Sequence, residues 1–80
     1  MKSDPIVLSC LPAFVAVVEG KSFTEAANQL HLTVSAVSQA IKKLEVRLGI
    51  KLFLREAAGV SLTPQGEIFA DYAKKESTRS

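Results

Sequence analysis

The 80-residue sequence contains one cysteine, one histidine and no tryptophan. The lone Cys10 cannot form an internal disulfide, which favours a reducing compartment, and its apolar neighbours favour a packing role over a nucleophilic one. Because no acidic residues cluster with Cys10 or His31, the sequence offers neither a nucleophile–base pair nor a set of metal ligands. We therefore expect a protein that is not an enzyme, with no catalytic residue, metal or other cofactor.

Long apolar runs are also absent. No run approaches the roughly 20 residues that a membrane span needs. Pro12 interrupts the apolar segment near the N-terminus, and no signal-peptide cleavage site is evident. We expect a cytoplasmic protein with no membrane partner. The length allows one small domain, and the 48% hydrophobic and 22% charged fractions are typical of a folded globular chain.

The formal net charge of +2 is unevenly distributed. Residues 31–55 carry five cations and one anion, whereas the rest of the chain carries five cations and seven anions. A basic segment inside a mildly acidic domain favours contact with a polyanion. The alternative is that these cations form an ordinary solvated helix face.

Apolar residues at helical spacing predict a first helix over about residues 6–19, ending at Gly20. Pro12 is tolerated without distortion only in a first turn, a condition that a start near Ser9 would satisfy. A start near Val7 would instead predict a bend at the proline, and the sequence leaves both open. The apolar stripe consists of Leu8, Leu11, Phe14, Val15 and Val18.

Capping signals predict the next two helices. Ser22 and Glu25 have the spacing of a capping box, which opens a short helix over residues 23–30. Thr33 is a suitable N-cap for a third helix over about residues 34–48, which Gly49 ends. One side of the third helix is apolar and the opposite side is polar. The apolar side carries Val37, Ile41, Leu44 and Leu48, and the polar side carries Ser35, Ser38, Gln39 and Lys42.

The pattern changes after Gly49. Short apolar runs at residues 50–54 and 60–62 flank a segment with Gly59 near its end, which predicts a β-hairpin. Thr63 and Pro64 then restart a helix as N-cap and first helical residue. Its predicted apolar stripe is Ile68, Phe69, Tyr72 and Ala73. The predicted fold class is therefore mainly α with a small β-hairpin.

A short capped helix, a tight connector and a longer helix are typical of a helix-turn-helix, whose second helix enters the major groove of DNA. The polar side of the third helix suits that role, since serines donate and accept, Gln39 can pair with adenine, and Lys42 can reach guanine or phosphate. The helix N-terminus at Thr33 is a phosphate site. Arg55, at the entrance to the hairpin turn, can reach a minor groove or a phosphate. The alternatives are a solvent-facing helix and a solvated arginine.

Taken as a whole, the sequence resembles the N-terminal domain of LysR-type transcriptional regulators over about residues 8–73. The resemblance begins at Leu11, Phe14 and Val15 and continues through Ser22-Phe23-Thr24-x-Ala26-Ala27-x-x-Leu30-His31, Ala36-Val37-Ser38-x-x-Ile41-x-x-Leu44-Glu45-x-x-Leu48-Gly49, Leu52-Phe53-x-Arg55 and Gly59-Val60-x-Leu62-Thr63-x-x-Gly66.

This resemblance implies a bacterial winged helix-turn-helix over residues 1–63, followed by the truncated start of a linker or dimerisation helix over residues 64–80. It implies sequence-specific binding of double-stranded DNA, with the recognition helix (about 34–48) in the major groove and the wing (about 52–62) at the adjacent minor groove. Carried over by position, the DNA contacts are Thr33, Ser35, Ser38, Gln39, Lys42 and Arg55, with Ser22 and Thr24 at phosphates.

The resemblance also implies a homodimer that pairs through the last helix. Ile68, Phe69 and Tyr72 are the expected dimerisation residues, because they would leave apolar surface exposed on a lone domain. Small-molecule effectors are expected to act only through a C-terminal domain that this chain does not include.

The chain departs from the family pattern on the contact face. It has Val34-Ser35 where Gln-Pro is common, Gln39 where arginine is common, and neutral Ala57, Ala58 and Ser61 in the wing. These changes predict modest DNA affinity with a shallow salt dependence. The neutral wing and serine-rich helix also leave open a second hypothesis, that the winged helix is a protein–protein interaction module.

Overall fold

The described residues form four helices and one antiparallel hairpin, in the chain order given below. The computed structural model describes the backbone of residues 4–57 and 59–79, with side chains up to residue 75. The elements are α1 (Pro5–Gly20), α2 (Phe23–Leu30), α3 (Val34–Leu48), β1 (Phe53–Glu56), β2 (Gly59–Leu62) and α4 (Pro64–Arg79). The predicted class, mainly α with a small β-hairpin, is confirmed.

The first helix begins at Pro5, which is earlier than the position of Pro12 alone suggested. Asp4 is the N-cap, and its carboxylate accepts hydrogen bonds from the backbone N–H groups of Ile6 (2.9 Å) and Val7 (3.5 Å). Pro5 occupies the first turn, where a missing N–H costs nothing. The predicted bounds of about 6–19 agree with the structure, the alternative start near Ser9 is excluded, and Pro12 lies inside α1 on an exposed position.

The bounds of α2 and α3 agree with prediction because their caps are formed. The Ser22 hydroxyl accepts from the N–H groups of Thr24 (3.1 Å) and Glu25 (3.2 Å), and the Thr33 hydroxyl accepts from Ala36 (3.0 Å). The reciprocal half of the capping box, a bond from the Glu25 carboxylate back to Ser22, is not formed within the described part of the chain. At its C-terminal end, α2 is capped by His31 in the left-handed conformation.

One hydrophobic core joins all the elements. Phe14 of α1 is fully buried at its centre, with ring centroids 5.3 Å from Phe53 of the hairpin and 5.1 Å from Phe69 of α4. The predicted apolar side of α3 faces this core, with Val37, Ile41 and Leu44 buried and Leu48 partly buried. Cys10 is buried in the same core, which agrees with a packing role.

The hairpin is anchored to the helices at its base. Its strands pair from Phe53 opposite Leu62 to Glu56 opposite Gly59, so the first strand begins later than the apolar run at residue 50 suggested. The Glu45 carboxylate of α3 accepts hydrogen bonds from the backbone N–H groups of Leu52 (2.8 Å) and Phe53 (3.3 Å). This contact fixes the orientation of the hairpin relative to α3.

The start of α4 packs tightly against the segment that leads into the hairpin. The buried Thr63 hydroxyl donates to the carbonyl of Lys51 and accepts from the N–H of Gly66 (2.9 Å), which confirms Thr63 as N-cap. Gly66 lies so close to the Leu52 carbonyl that an added Cβ would overlap its oxygen. The two backbone segments can approach this closely only because glycine has no Cβ.

Two expectations about α4 were wrong, one about the exposure of Phe69 and one about the place of Ile68 in the apolar stripe. Phe69 is 4% exposed and belongs to the domain core, so the expectation that it leaves apolar surface exposed was wrong. Ile68 lies outside the buried stripe and is 75% exposed. Tyr72 is half-buried and its ring lies against Phe69, with the centroids 5.5 Å apart. No helix within the described residues is long and apolar enough to cross a membrane.

Candidate nucleic-acid interface

The polar side of α3 is accessible over its first turns. Ser35, Gln39 and Lys42 are exposed, and Ser38 is half-buried. Thr33 is exposed too, but its hydroxyl is engaged as the N-cap of α3, so it stabilises the start of the helix. The polar side predicted from the sequence is therefore open to a ligand.

The wing arginine contacts the helix-turn-helix. One terminal nitrogen of the Arg55 guanidinium donates to the Ser38 hydroxyl at 2.9 Å. The guanidinium carbon lies 4.4 Å from the centroid of the Phe23 ring, which is a cation–π distance. Arg55 thus links the wing to both α2 and α3 while its side chain stays on the surface. A guanidinium has five N–H donors, so this arrangement leaves donors for a phosphate or a base.

A cleft of about 560 Å³ separates the wing from the start of the helix-turn-helix. We call it the wing cleft. It brings together five of the predicted DNA contacts, namely Ser22, Ser35, Ser38, Gln39 and Arg55. Its other lining residues are Lys21, Phe23, Val34, Glu56, Gly59 and Val60.

A second cleft, of about 380 Å³, lies on the other side of Arg55 between α3 and the base of the wing. It brings Lys42 and Lys51 together with Arg55 and Ser38. The predicted phosphate contact Thr24 is exposed, but neither it nor Thr33 lines either cleft.

The charges that line the two clefts favour an anion. Four cations, Lys21, Lys42, Lys51 and Arg55, stand against the carboxylates of Glu45 and Glu56. The Glu45 carboxylate is occupied by two backbone N–H groups of the wing, and the Glu56 carboxylate accepts a hydrogen bond from the Ser61 hydroxyl at 3.3 Å. Both acids are therefore partly satisfied, and the surface has an excess of positive charge.

Four notable contributors to this surface were not predicted. Phe23 supports Arg55, Lys51 lines the second cleft with Lys42, and Lys21 and Val34 line the wing cleft. Lys51 could have been found from the local excess of cations. The roles of Phe23 and Val34 depend on where the wing lies against the helices, which sequence spacing does not determine.

Comparison with known proteins identifies the family. The family model described as "Bacterial regulatory helix-turn-helix protein, lysR family" matches residues 8–67. The chain belongs to the LysR family. The match covers α2, α3 and the wing, so it includes both clefts. The family consists of transcriptional regulators and not enzymes, in agreement with the lack of catalytic constellations in the sequence.

Relatives in this LysR family are close in sequence and in structure. The chain is 47% identical over 68 residues to YxjO, an HTH-type transcriptional regulator of Bacillus subtilis, covering 85% of this chain and 23% of YxjO. It is 47% identical over 67 residues to the transcriptional activator AmpR of Citrobacter freundii, covering 84% of this chain and 23% of AmpR. It thus spans about a quarter of the length of these relatives.

The solved structures include a DNA complex. The DNA-binding domain of BenM, bound to catB site 1 DNA, is 43% identical, with a TM-score of 0.86 over 90% of this chain and 81% of that one. The resemblance to LysR-type regulators and the winged helix-turn-helix architecture are confirmed. The hypothesis of a protein–protein interaction module is not favoured, because structural neighbours such as this one are DNA complexes.

Proposed function

We propose that this LysR-family domain binds double-stranded DNA sequence-specifically, with the N-terminal half of α3 in the major groove and the wing at the adjacent minor groove. The observation that carries the proposal is the wing cleft, where the polar start of α3 and Arg55 face the same space. A recognition helix points its N-terminal residues at base edges, and an arginine beside it can enter the neighbouring minor groove. The similar DNA-binding domain of BenM was solved as a complex with DNA, which supports DNA as the ligand.

Different side chains have different roles in this proposal. Gln39 and Ser35 are exposed at the start of α3 and contact base edges. Lys42 and Arg55 contact phosphate or the minor groove, while Ser38 holds Arg55 in place. Ser22 and Thr24 lie at the start of α2, whose N-terminus faces a phosphate.

Substitutions of the two main cations test the proposal. Lys42→Ala and Arg55→Ala should each weaken binding to all duplexes and reduce the slope of log K against log salt by about 1. Lys43→Ala is the matched control, because Lys43 is also exposed on α3 but lines neither cleft and points about 100° away from Lys42. Fluorescence anisotropy with a labelled duplex measures all three variants. Equal binding by the wild type and both cleft variants would contradict the proposal.

The domain is proposed to act as a homodimer, in the cytoplasm where bacterial DNA is accessible. The support is the exposed Ile68, which borders an apolar hollow of about 290 Å³ between α4 and the end of α3. The hollow is lined by Leu48, Ile50, Gln65, Ile68, Phe69 and Tyr72. Pairing through α4 would give two wing clefts per dimer and hence paired DNA half-sites. Response to a small-molecule effector is proposed to belong to the part of a full-length regulator that this chain does not span.

A further inference from the structure

One exposed apolar side chain lies among the polar groups of the wing cleft. Val34, the first residue of α3, is 46% exposed. It lines the cleft with Ser35, Ser38 and Gln39. Single exposed apolar residues need no explanation on an ordinary surface. Val34, however, lies at the N-terminal end of α3, and a helix-turn-helix directs this end of its second helix at base edges.

The position of Val34 distinguishes it from the other exposed apolar residues. Among the described residues, the other exposed large hydrophobics are Leu8, Leu32, Val46, Leu54 and Ile68, and none of these lines the wing cleft. Val34 is also not among the residues that pack against the core. Its side chain is therefore available to a ligand in the cleft and contributes little to the fold.

The apolar group that a base pair presents in the major groove is the C5-methyl of thymine. We propose that Val34 is a specificity-determining residue that packs on the C5-methyl of one thymine. This inference rests on the proposed function, since it requires α3 to lie in the major groove. Gln39 lines the same cleft, and its amide can pair with N6 and N7 of adenine. Together the two side chains fit a half-site that contains A·T pairs.

Replacement of thymine by deoxyuridine tests the contact directly, because the two bases differ only by the methyl group. A binding site is first selected from randomised duplexes, and each thymine of that site is then replaced singly. At one position, the wild type should bind the deoxyuridine duplex about four-fold more weakly, the effect of one apolar carbon removed from water. Val34→Ala should weaken binding to the thymine duplex and should no longer distinguish the two bases at that position.

Leu8→Ala is the control. It truncates another apolar side chain at a 41% exposed position, on α1 and outside both clefts, and should keep the full sensitivity to deoxyuridine. Circular dichroism should show both variants folded, since neither residue is buried.

Two results would overturn the inference while leaving DNA binding intact. The first is equal wild-type affinity for thymine and deoxyuridine at every position. The second is a Val34→Ala variant that is as sensitive to the replacement as the wild type. If the wild type bound no duplex even at low salt, the proposed function itself would be wrong, and this inference with it.

Discussion

Arg55 shows how a single residue connects the wing to the helix-turn-helix. Its hydrogen bond to Ser38 and its position over the Phe23 ring restrict the guanidinium before any ligand arrives. Such restriction lowers the conformational entropy lost on binding. The sequence indicated a wing arginine near DNA, but not this contact, because its two partners come from different helices.

The substitution Arg55→Lys tests whether binding depends on the charge of Arg55 alone or also on the orientation of its guanidinium. Arg55→Lys keeps the positive charge but loses the planar guanidinium that hydrogen-bonds and stacks. We expect this variant to retain the salt dependence of the wild type but to bind DNA more weakly, by about ten-fold at most, since one charge-assisted contact is lost. Anisotropy titrations at matched salt measure both quantities. Affinity equal to that of the wild type would show that the contacts with Ser38 and Phe23 are unimportant for binding.

Asp4 gives a second residue-scale prediction, which concerns pH. The Arg47 guanidinium, which donates to the Asp4 carboxylate at 2.8 Å, holds the pKa of Asp4 below its ordinary value of 3.8. The N–H groups of Ile6 and Val7 act in the same direction, and partial burial opposes them. A carboxylate whose pKa is lower in the folded state stabilises the fold above its unfolded pKa. This contribution is lost as the pH falls through the folded pKa.

Asp4→Asn isolates this effect, because asparagine is also a good N-cap but carries no charge. The wild type should have the higher Tm at neutral pH, and the difference should shrink below pH 3.8 as Asp4 becomes protonated. Thermal melts of both proteins at a series of pH values measure it. A difference that stays constant down to about pH 2 would contradict the assigned role of Arg47.

At the scale of elements, prediction from the sequence succeeded where local signals act alone. Ser22 and Thr33 each cap the helix that follows them, so the starts of α2 and α3 agree with prediction. The exact start of α1 was left open because Pro12 was considered without Asp4 and Pro5, which form the N-cap and a first-turn proline. The burial of Phe69 was missed because it depends on Phe14, 55 residues earlier in the chain. The full sets of residues that line the two clefts could not be predicted from the sequence for the same reason, because they depend on tertiary packing.

Pro12 is expected to cost stability within α1. Pro12 lacks the backbone N–H that would donate a hydrogen bond to the preceding turn of the helix. Because Pro12 is exposed, replacing it removes no contact with the core. Pro12→Ala should raise the free energy of unfolding by about 1–3 kcal/mol. Urea denaturation followed by circular dichroism measures the change. An unchanged or lower stability would show that the proline has a compensating role.

The junction between the wing and α4 is expected to be intolerant of added volume. Because a Cβ at Gly66 would overlap the Leu52 carbonyl oxygen, Gly66→Ala should lower the free energy of unfolding by about 1–3 kcal/mol. Gln65→Ala, at the exposed preceding position, is the control and should change it by less than about 0.5 kcal/mol. If both variants were equally stable, α4 would not need its close approach to the wing.

At the scale of the whole molecule, the surfaces proposed for DNA binding and for self-association lie apart. The clefts around Arg55 carry the excess of cations, whereas the apolar hollow beside Ile68 lies between α4 and the end of α3. DNA binding and self-association should therefore respond to different substitutions. This separation also follows from the fold, because α3 contributes its polar side to the clefts and its C-terminal end to the hollow.

Ile68→Glu tests self-association. A charge at this 75% exposed position should shift the protein towards monomer in sedimentation velocity while leaving its Tm near that of the wild type. Val46→Glu places the same charge at another exposed apolar position and should leave association unchanged. A wild type that remains monomeric at high concentration would contradict pairing through this surface.

The salt dependence of binding to a random duplex of about 30 base pairs tests the central claim most directly, because phosphate contacts release counterions whatever the sequence. The four cations of the two clefts predict that log K falls with log salt with a slope of about −2 to −4 per domain. Fluorescence anisotropy at two salt concentrations measures it. No binding at the lower salt concentration, or an affinity independent of salt, would contradict the assignment of the clefts as a DNA interface.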